Sequence, residues 1–175
     1  QGGLNPGDAG YEAGFGTHIT GSTDGSNGFD ATSTGNHSMF EWDEVDQEWD
    51  PIPSTNQAGD VMAVGDAYAL MVRGDRSTTL NSNTAVGPAT TLRFTGDLEF
   101  NDQTISNFAT NEDYNLIANP YQAIVDAKTL LESGDATDLD DQTIYVYDPT
   151  LGTQGGYATI DLSLTNPSAT PEDGS

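Results

Sequence analysis

Residues 114–121 read YNLIANPY, a stretch that joins a strand-like apolar pattern to an abrupt reversal of the chain. Tyr114, Leu116 and Ile117 supply apolar bulk, and Asn119 is placed to close a side-chain turn on its own backbone. Pro120 has no N–H to give to a sheet ladder, so the strand predicted here ends at the Asn-Pro step. Tyr121 follows as an aromatic anchor. The device shapes backbone and brings no catalytic group.

Working outward, similar short segments recur. Residues 15–20 (FGTHIT) alternate apolar and polar side chains, and the TGSTDGSNG run breaks that alternation into a loop. SMFEWDEVDQEWDPI, residues 38–52, reads as a hairpin that carries both tryptophans, and residues 67–73 form a strand closed by Gly74. Short strands are also predicted at 92–95, 98–100, 104–108, 143–147 and 157–164. One helix is expected at 127–133, with Asp126 as N-cap, Lys128 and Glu132 as an i, i+4 pair, and Gly134 as the stop. Many short strands with a single helix predict an all-β fold: an antiparallel β-sandwich, jelly-roll or Greek-key like, with one short helix. Its core is expected to include Phe40, Tyr68, Leu70, Val72, Phe94, Leu116, Ile117, Tyr121, Ile144, Val146 and Ile160, with Leu130 and Leu131 at one edge. Three parts follow: an extended, donor-like lead-in at 1–16, a sandwich domain at 17–164, and a linker-like tail at 165–175.

The order of these segments resembles a β-sandwich module of secreted and cell-surface proteins of Bacteroidetes, found in type IX-secreted surface proteins and adhesins. The segments that carry the likeness are GDAYALMVRGDRSTTL (65–80), LRFTGDLEF (92–100), NLIANPY (115–121), DAKTLLESG (126–134) and TIYVYD (143–148). Ala118 stands where that module has glycine, so the backbone there does not need a left-handed conformation. The resemblance implies an extracellular, secreted or surface location and a structural or adhesive role.

Composition narrows the partners. Asp and Glu total 28 against four Lys and Arg, a formal net charge of -24. Such a surface repels phosphate backbones and anionic lipid, which argues against nucleic-acid binding and direct membrane insertion. It suits saline surroundings, where screening shortens to a few Å. No stretch approaches the roughly 18 consecutive apolar residues of a spanning helix. There is no cysteine, so stability rests on packing, hydrogen bonds and hard cations.

No enzyme signature stands out. His18 and His37 lack metalloprotease spacing, and there is no nucleophile elbow or phosphate-binding glycine loop. The expectation is no enzyme. Ca²⁺ is the cofactor that closely spaced loop oxygens suit. The candidate ligand sets are Asp135, Asp138, Asp140 and Asp141; Asp24, Asn27 and Asp30; and a hairpin group of Asp43, Asp46 and Asp50. Trp42 and Trp49, with Tyr145, Tyr147 and Tyr157, are candidates for stacking on sugar rings or a protein partner. Arg73, Gly74 and Asp75 spell RGD, read as a strand-ending turn with Arg73 paired to a carboxylate. The expected role is a non-catalytic unit of a surface fibre or multi-domain adhesin, partnered by itself, neighbouring surface domains or glycans. The alternative is a carbohydrate-binding module attached to a secreted polysaccharide-degrading enzyme.

Overall fold

The computed structural model describes residues 7–9, 11–55, 62, 64–80, 87–92, 98–106, 113–137, 139, 142–153, 155–165, 167 and 169–171. The chain divides into two units, Gln1–Gln122 and Ala123–Ser175. Regular structure is mainly strand, and the fold class is all-β.

In the first unit, β1 (Thr20–Ser22) pairs with β2 (Asp30–Ala31), and β3 (Met39–Asp43) lies between β4 (Glu48–Pro51) and β5 (Tyr68–Leu70). The predicted hairpin forms with Trp42 opposite Trp49 and Glu41 opposite Asp50. Alternation then puts Phe40, Trp42, Trp49 and Pro51 on one face and the acidic side chains on the other. The β1–β2 pairing is parallel, unlike the antiparallel arrangement expected throughout. A 3₁₀ turn at Ser26–Gly28, with Asn27 left-handed (φ 55), brings the chain round in few residues without a helical crossover.

The second unit holds α1 (Ala127–Leu131) and an antiparallel sheet in the order β6 (Thr143–Asp148), β7 (Gly156–Asp161), β8 (Ala169–Pro171). The Asp126 carboxylate accepts from the Thr129 N–H at 3.1 Å, and Lys128 reaches Glu132 at 3.7 Å, so the sequence-read cap and ion pair both form. The helix stops at Leu131, earlier than expected. Part of the predicted tail is strand: Ala169–Pro171 pairs with β7 as an edge, the place where a sheet tolerates proline. Gly155 is required at the β6–β7 hairpin, because φ is +81 there and a Cβ would collide with the Tyr147 hydroxyl.

Several expectations are corrected. Residues 113–120 form no strand, and 98–106 likewise contain none. Apart from these corrections, Phe15 at the end of the lead-in bridges to Thr91 of the same chain, with Gly16 N–H to the Thr91 carbonyl at 2.7 Å. Among the described residues the buried apolar ones are Phe29, Ile52, Ala158 and Leu162, none of them in the expected core. Val72, Ile117, Val146 and Leu130 are 40–50% exposed. Phe94 lies outside the described residues. Alternation identifies a face, but burial also needs a layer laid over it, and each described sheet stops at two or three strands. Phe40, Tyr68, Leu70, Leu116, Tyr121, Ile144, Ile160 and Leu131 are half-buried.

Phe29 is 5% exposed and its ring meets His37 edge-on at 5.1 Å. Phe29→Ala is therefore expected to cost about 3 kcal/mol through lost transfer energy and a residual cavity. Urea denaturation checks this: the midpoint should fall at an unchanged slope, and a midpoint equal to wild type would contradict it.

Candidate functional site

Among the described residues, the most enclosed polar cluster is built from three separated stretches of the first unit. Asp30 begins β2, His18 lies two residues before β1, and Arg76 lies in the turn after β5. The Arg76 guanidinium donates from both terminal nitrogens, Nη1 to Asp30 Oδ2 at 2.8 Å and Nη2 to Oδ1 at 2.5 Å. Nη1 also donates to the Thr17 carbonyl at 3.2 Å. The Ile19 N–H donates to Asp30 Oδ2 at 2.9 Å, while Asp30 N–H returns a bond to the Ile19 carbonyl at 2.8 Å. His18 Nε2 lies 3.0 Å from the Arg76 carbonyl; a carbonyl can only accept, so Nε2 carries a proton. Its Nδ1 stands 3.4 Å from Asp30 Oδ2. Burial pushes the Asp30 carboxyl upward, but His18, Arg76 and the Ile19 N–H outweigh it and hold it well below the usual carboxylate range.

An adjacent Asp and His is also the orienting half of a nucleophilic triad. Here the far nitrogen of the imidazole faces a backbone carbonyl instead of a hydroxyl or thiol. His18 and Arg76 are buried, as are Thr17, Thr20 and Ser38 beside them. Two of the neighbouring hydroxyls are tied to backbone, Thr20 donating to the Asn36 carbonyl at 2.7 Å and Ser38 Oγ accepting from Thr20 N–H at 2.9 Å, while Thr17 Oγ1 is buried without a hydrogen bond. The cluster fixes chain positions.

The sequence-predicted cation sets fare differently. Asp24 accepts from Ser26 N–H at 3.0 Å, and both Asp30 oxygens are taken by Arg76 and Ile19. Asn27 contributes its carbonyl to Thr55 N–H and Ser54 Oγ at 2.9 and 3.2 Å. In the hairpin group, Asp43 caps its own turn, accepting from Val45 and Asp46 N–H at 2.7 and 2.8 Å. Asp135 is exposed, and Asp138, Asp140 and Asp141 lie outside the described residues. Among the described residues no three His, Asp or Glu side chains come together in a metal-holding group.

A recurrent use of aspartate was missed. Asp75, Asp148 and Asp161 each accept from the backbone N–H and the hydroxyl of the Ser or Thr two residues on, namely Ser77, Thr150 and Ser163. Hydrogen bonds from those partners hold all three carboxyls below their ordinary value, and Ser26 does the same for Asp24. The signal was legible as the repeated Asp-x-Ser/Thr spacing. It also disposes of RGD as a displayed motif, since Gly74 and Asp75 are buried. Arg73, expected to pair with a carboxylate, has no such partner among the described residues, and its Nε and Nη1 are buried without hydrogen bonds.

The aromatic candidates form two separate pairs. Trp42 and Trp49 meet edge to face, 5.2 Å apart at 69°, both half-buried, and Trp42 Nε1 donates to the Tyr114 carbonyl at 3.2 Å. They are not a coplanar platform. Tyr145, Tyr147 and Tyr157 share one face of β6–β7 and are 41–52% exposed, with Tyr147 and Tyr157 at 5.5 Å and 69°. The YNLIANPY segment is held at its ends. Gln47 brackets Tyr114, accepting from its N–H at 2.7 Å and donating to its carbonyl at 3.0 Å. Asn119 Oδ1 accepts from Tyr121 N–H at 3.0 Å, the side-chain turn read from sequence, and the Tyr121 hydroxyl donates to the Asn101 carbonyl at 2.9 Å.

Compared with protein-family models, curated proteins and solved structures, the chain matches none.

Asp30→Asn would leave the Arg76 charge enclosed without its counter-ion, at a cost on the order of 3 kcal/mol. A carboxyl that titrates low in the folded state contributes fully above its unfolded value and loses that contribution as pH falls toward the folded one. Wild-type stability should therefore fall on acidification below about pH 4, and the gap to Asp30→Asn should narrow there. A gap constant from neutral pH to strong acid, measured by denaturation, would refute the assignment.

Proposed function

We propose that the chain is a non-catalytic structural or adhesive module of a secreted or cell-surface protein, a unit of a fibre or multi-domain adhesin, its sheets belonging to an antiparallel sandwich. The observation that carries this reading is how the enclosed ionisable groups are used. Arg76 and Asp30 pair with each other, and Arg76, Asp30 and His18 also bond to backbone groups of residues 17, 19 and 76, so the hydrogen bonds of the cluster are spent on positioning chain. The sequence resemblance to Bacteroidetes surface modules supports the location. Copies of itself and neighbouring surface domains are its partners.

Under this reading the surface charge of -24 keeps units apart until salt screens them. Light scattering and electron microscopy at about 1 M salt, where the screening length is about 3 Å, should show multimers of the full chain and fewer of a chain lacking residues 1–14. If both remain monomeric with the same melting temperature, the assembly reading fails.

A second reading, sugar binding, is favoured by one specific feature: the partly exposed Tyr145, Tyr147 and Tyr157 on a common face. Glycan-array binding that is lost in Tyr157→Ala would favour it.

Ca²⁺ is proposed as a stabilising ligand of the acidic loops, with Asp135, Asp138, Asp140 and Asp141 as the set to test. A cation that binds only the folded chain, present at 100 times its dissociation constant, adds about 2.7 kcal/mol. Melting temperature should rise from chelator to millimolar calcium at constant ionic strength; equal melts would remove a specific site.

A further inference from the structure

We propose that the socket formed by Gln47, Trp42 and the Gly65 carbonyl, which holds residues 113–121 of its own chain, also accepts that segment from a second copy, so that copies join by exchanging everything from residue 113 onward. This rests on the assembly reading and names its contact.

The socket is preformed. Asp43 Oδ1 caps Val45 and Asp46 N–H at 2.7 and 2.8 Å, fixing the β3–β4 turn, and Gln47 follows in a left-handed conformation at φ 55. Its amide is steadied by donation from Nε2 to the Glu44 carbonyl at 2.8 Å. It then meets Tyr114 as a neighbouring strand would, Oε1 to the N–H and Nε2 to the carbonyl, and Trp42 Nε1 adds a second donor to that carbonyl. Further along, Ala118 N–H donates to the Gly65 carbonyl at 3.2 Å, while the Tyr121 hydroxyl bridges the Asn101 carbonyl and the Gln103 N–H.

These contacts have the properties exchange requires. They are neutral, so the like charge of two copies does not act on them directly. The segment brings its own Asn119 turn with it. Tyr114 and Ile117 are 59% and 40% exposed in the closed chain and Leu116 and Tyr121 are only half-buried, so the apolar burial given up while the segment is out is partial. An identical segment from another copy satisfies the same bonds, which makes exchange a low-cost route to association. The second unit begins at Ala123, directly after the segment, so it is carried to the neighbour, and a copy that gives to one neighbour while receiving from another builds an open chain. In cis the segment has the advantage of effective concentration, so exchange needs concentrated, salt-screened protein.

The test uses the absence of native cysteine. Val45→Cys and Asp113→Cys are made in separate full-length chains, flanking the Gln47–Tyr114 contact at exposed positions. They are mixed, concentrated at about 1 M salt, and treated with a bismaleimide whose span is calibrated on the double variant in dilute solution. Exchange predicts mixed cross-linked dimers in about tenfold excess over like-with-like dimers, as expected for thiols held at millimolar effective concentration. It also predicts loss of that excess when Gln47→Ala is added to the Val45→Cys chain. Mixed dimers at the proportion of random pairing overturn the proposal, whether or not light scattering finds multimers. Multimers without the excess would leave assembly standing through another contact.

Discussion

The first unit depends on where Arg76 goes. With 28 acidic side chains and four basic ones, a cation is the scarce partner, and Asp30 takes Arg76 in a two-pronged pair that also collects the Thr17 carbonyl, the Ile19 N–H and, through the Arg76 carbonyl, His18. Three stretches that are remote in sequence are thereby held at fixed distances. The parallel β1–β2 contact starts at Asp30 itself, and the hydroxyl bonds of Thr20 and Ser38 lie next to it. Such a pair is weak evidence of net stabilisation, because both ions lose water. Its value lies in specifying one arrangement, since breaking it strands a charge. Lys128 plays a comparable part in the second unit, donating to the Leu162 carbonyl at 2.6 Å while facing Glu132.

The acidic composition is therefore partly architectural. Asp24, Asp43, Asp75, Asp126, Asp148 and Asp161 all accept from backbone N–H groups two or three residues on. Each turn of this kind gives a short loop a fixed shape without cysteine or metal. A carboxylate serves better than an amide there because the charge-assisted bond is stronger. The opposite case is the acidic face of the β3–β4–β5 sheet. Burial, then repulsion from Asp66, Asp50, Asp43 and Glu44, raises the Glu41 carboxyl, and burial with Asp66 and Glu41 pushes the Tyr68 hydroxyl to about 12. Salt relieves that face.

What was legible in the sequence was local. The hairpin with paired tryptophans, the Asp126 cap, the TIYVYD strand and the Asn119 turn all follow from residues within a few positions of one another. What was not legible depends on tertiary choice. YNLIANPY has the composition of a buried strand, yet its first backbone groups are satisfied by the side chains of Gln47 and Trp42. Nothing local says that Arg76 pairs with Asp30, because that carboxylate lies 46 residues away. Asp30 read as a loop oxygen for a cation and became the anchor of an ion pair for the same reason. The Asp-x-Ser/Thr turns, by contrast, were within reach of sequence reading.

A chain this acidic cannot recognise another copy of itself through ion pairs, because almost any surface it meets carries its own sign. Contacts between like-charged copies must be made by groups indifferent to charge, such as amides, hydroxyls, indole N–H and backbone. The segment from Tyr114 to Tyr121 and its socket are made of such groups. Glutamine suits the central position because its amide offers the donor and acceptor of a strand edge without a strand's length, and it reads backbone rather than side chains. In the proposed exchange, salt would act from outside the contact, lowering the repulsion between exteriors and leaving the neutral bonds as strong as before.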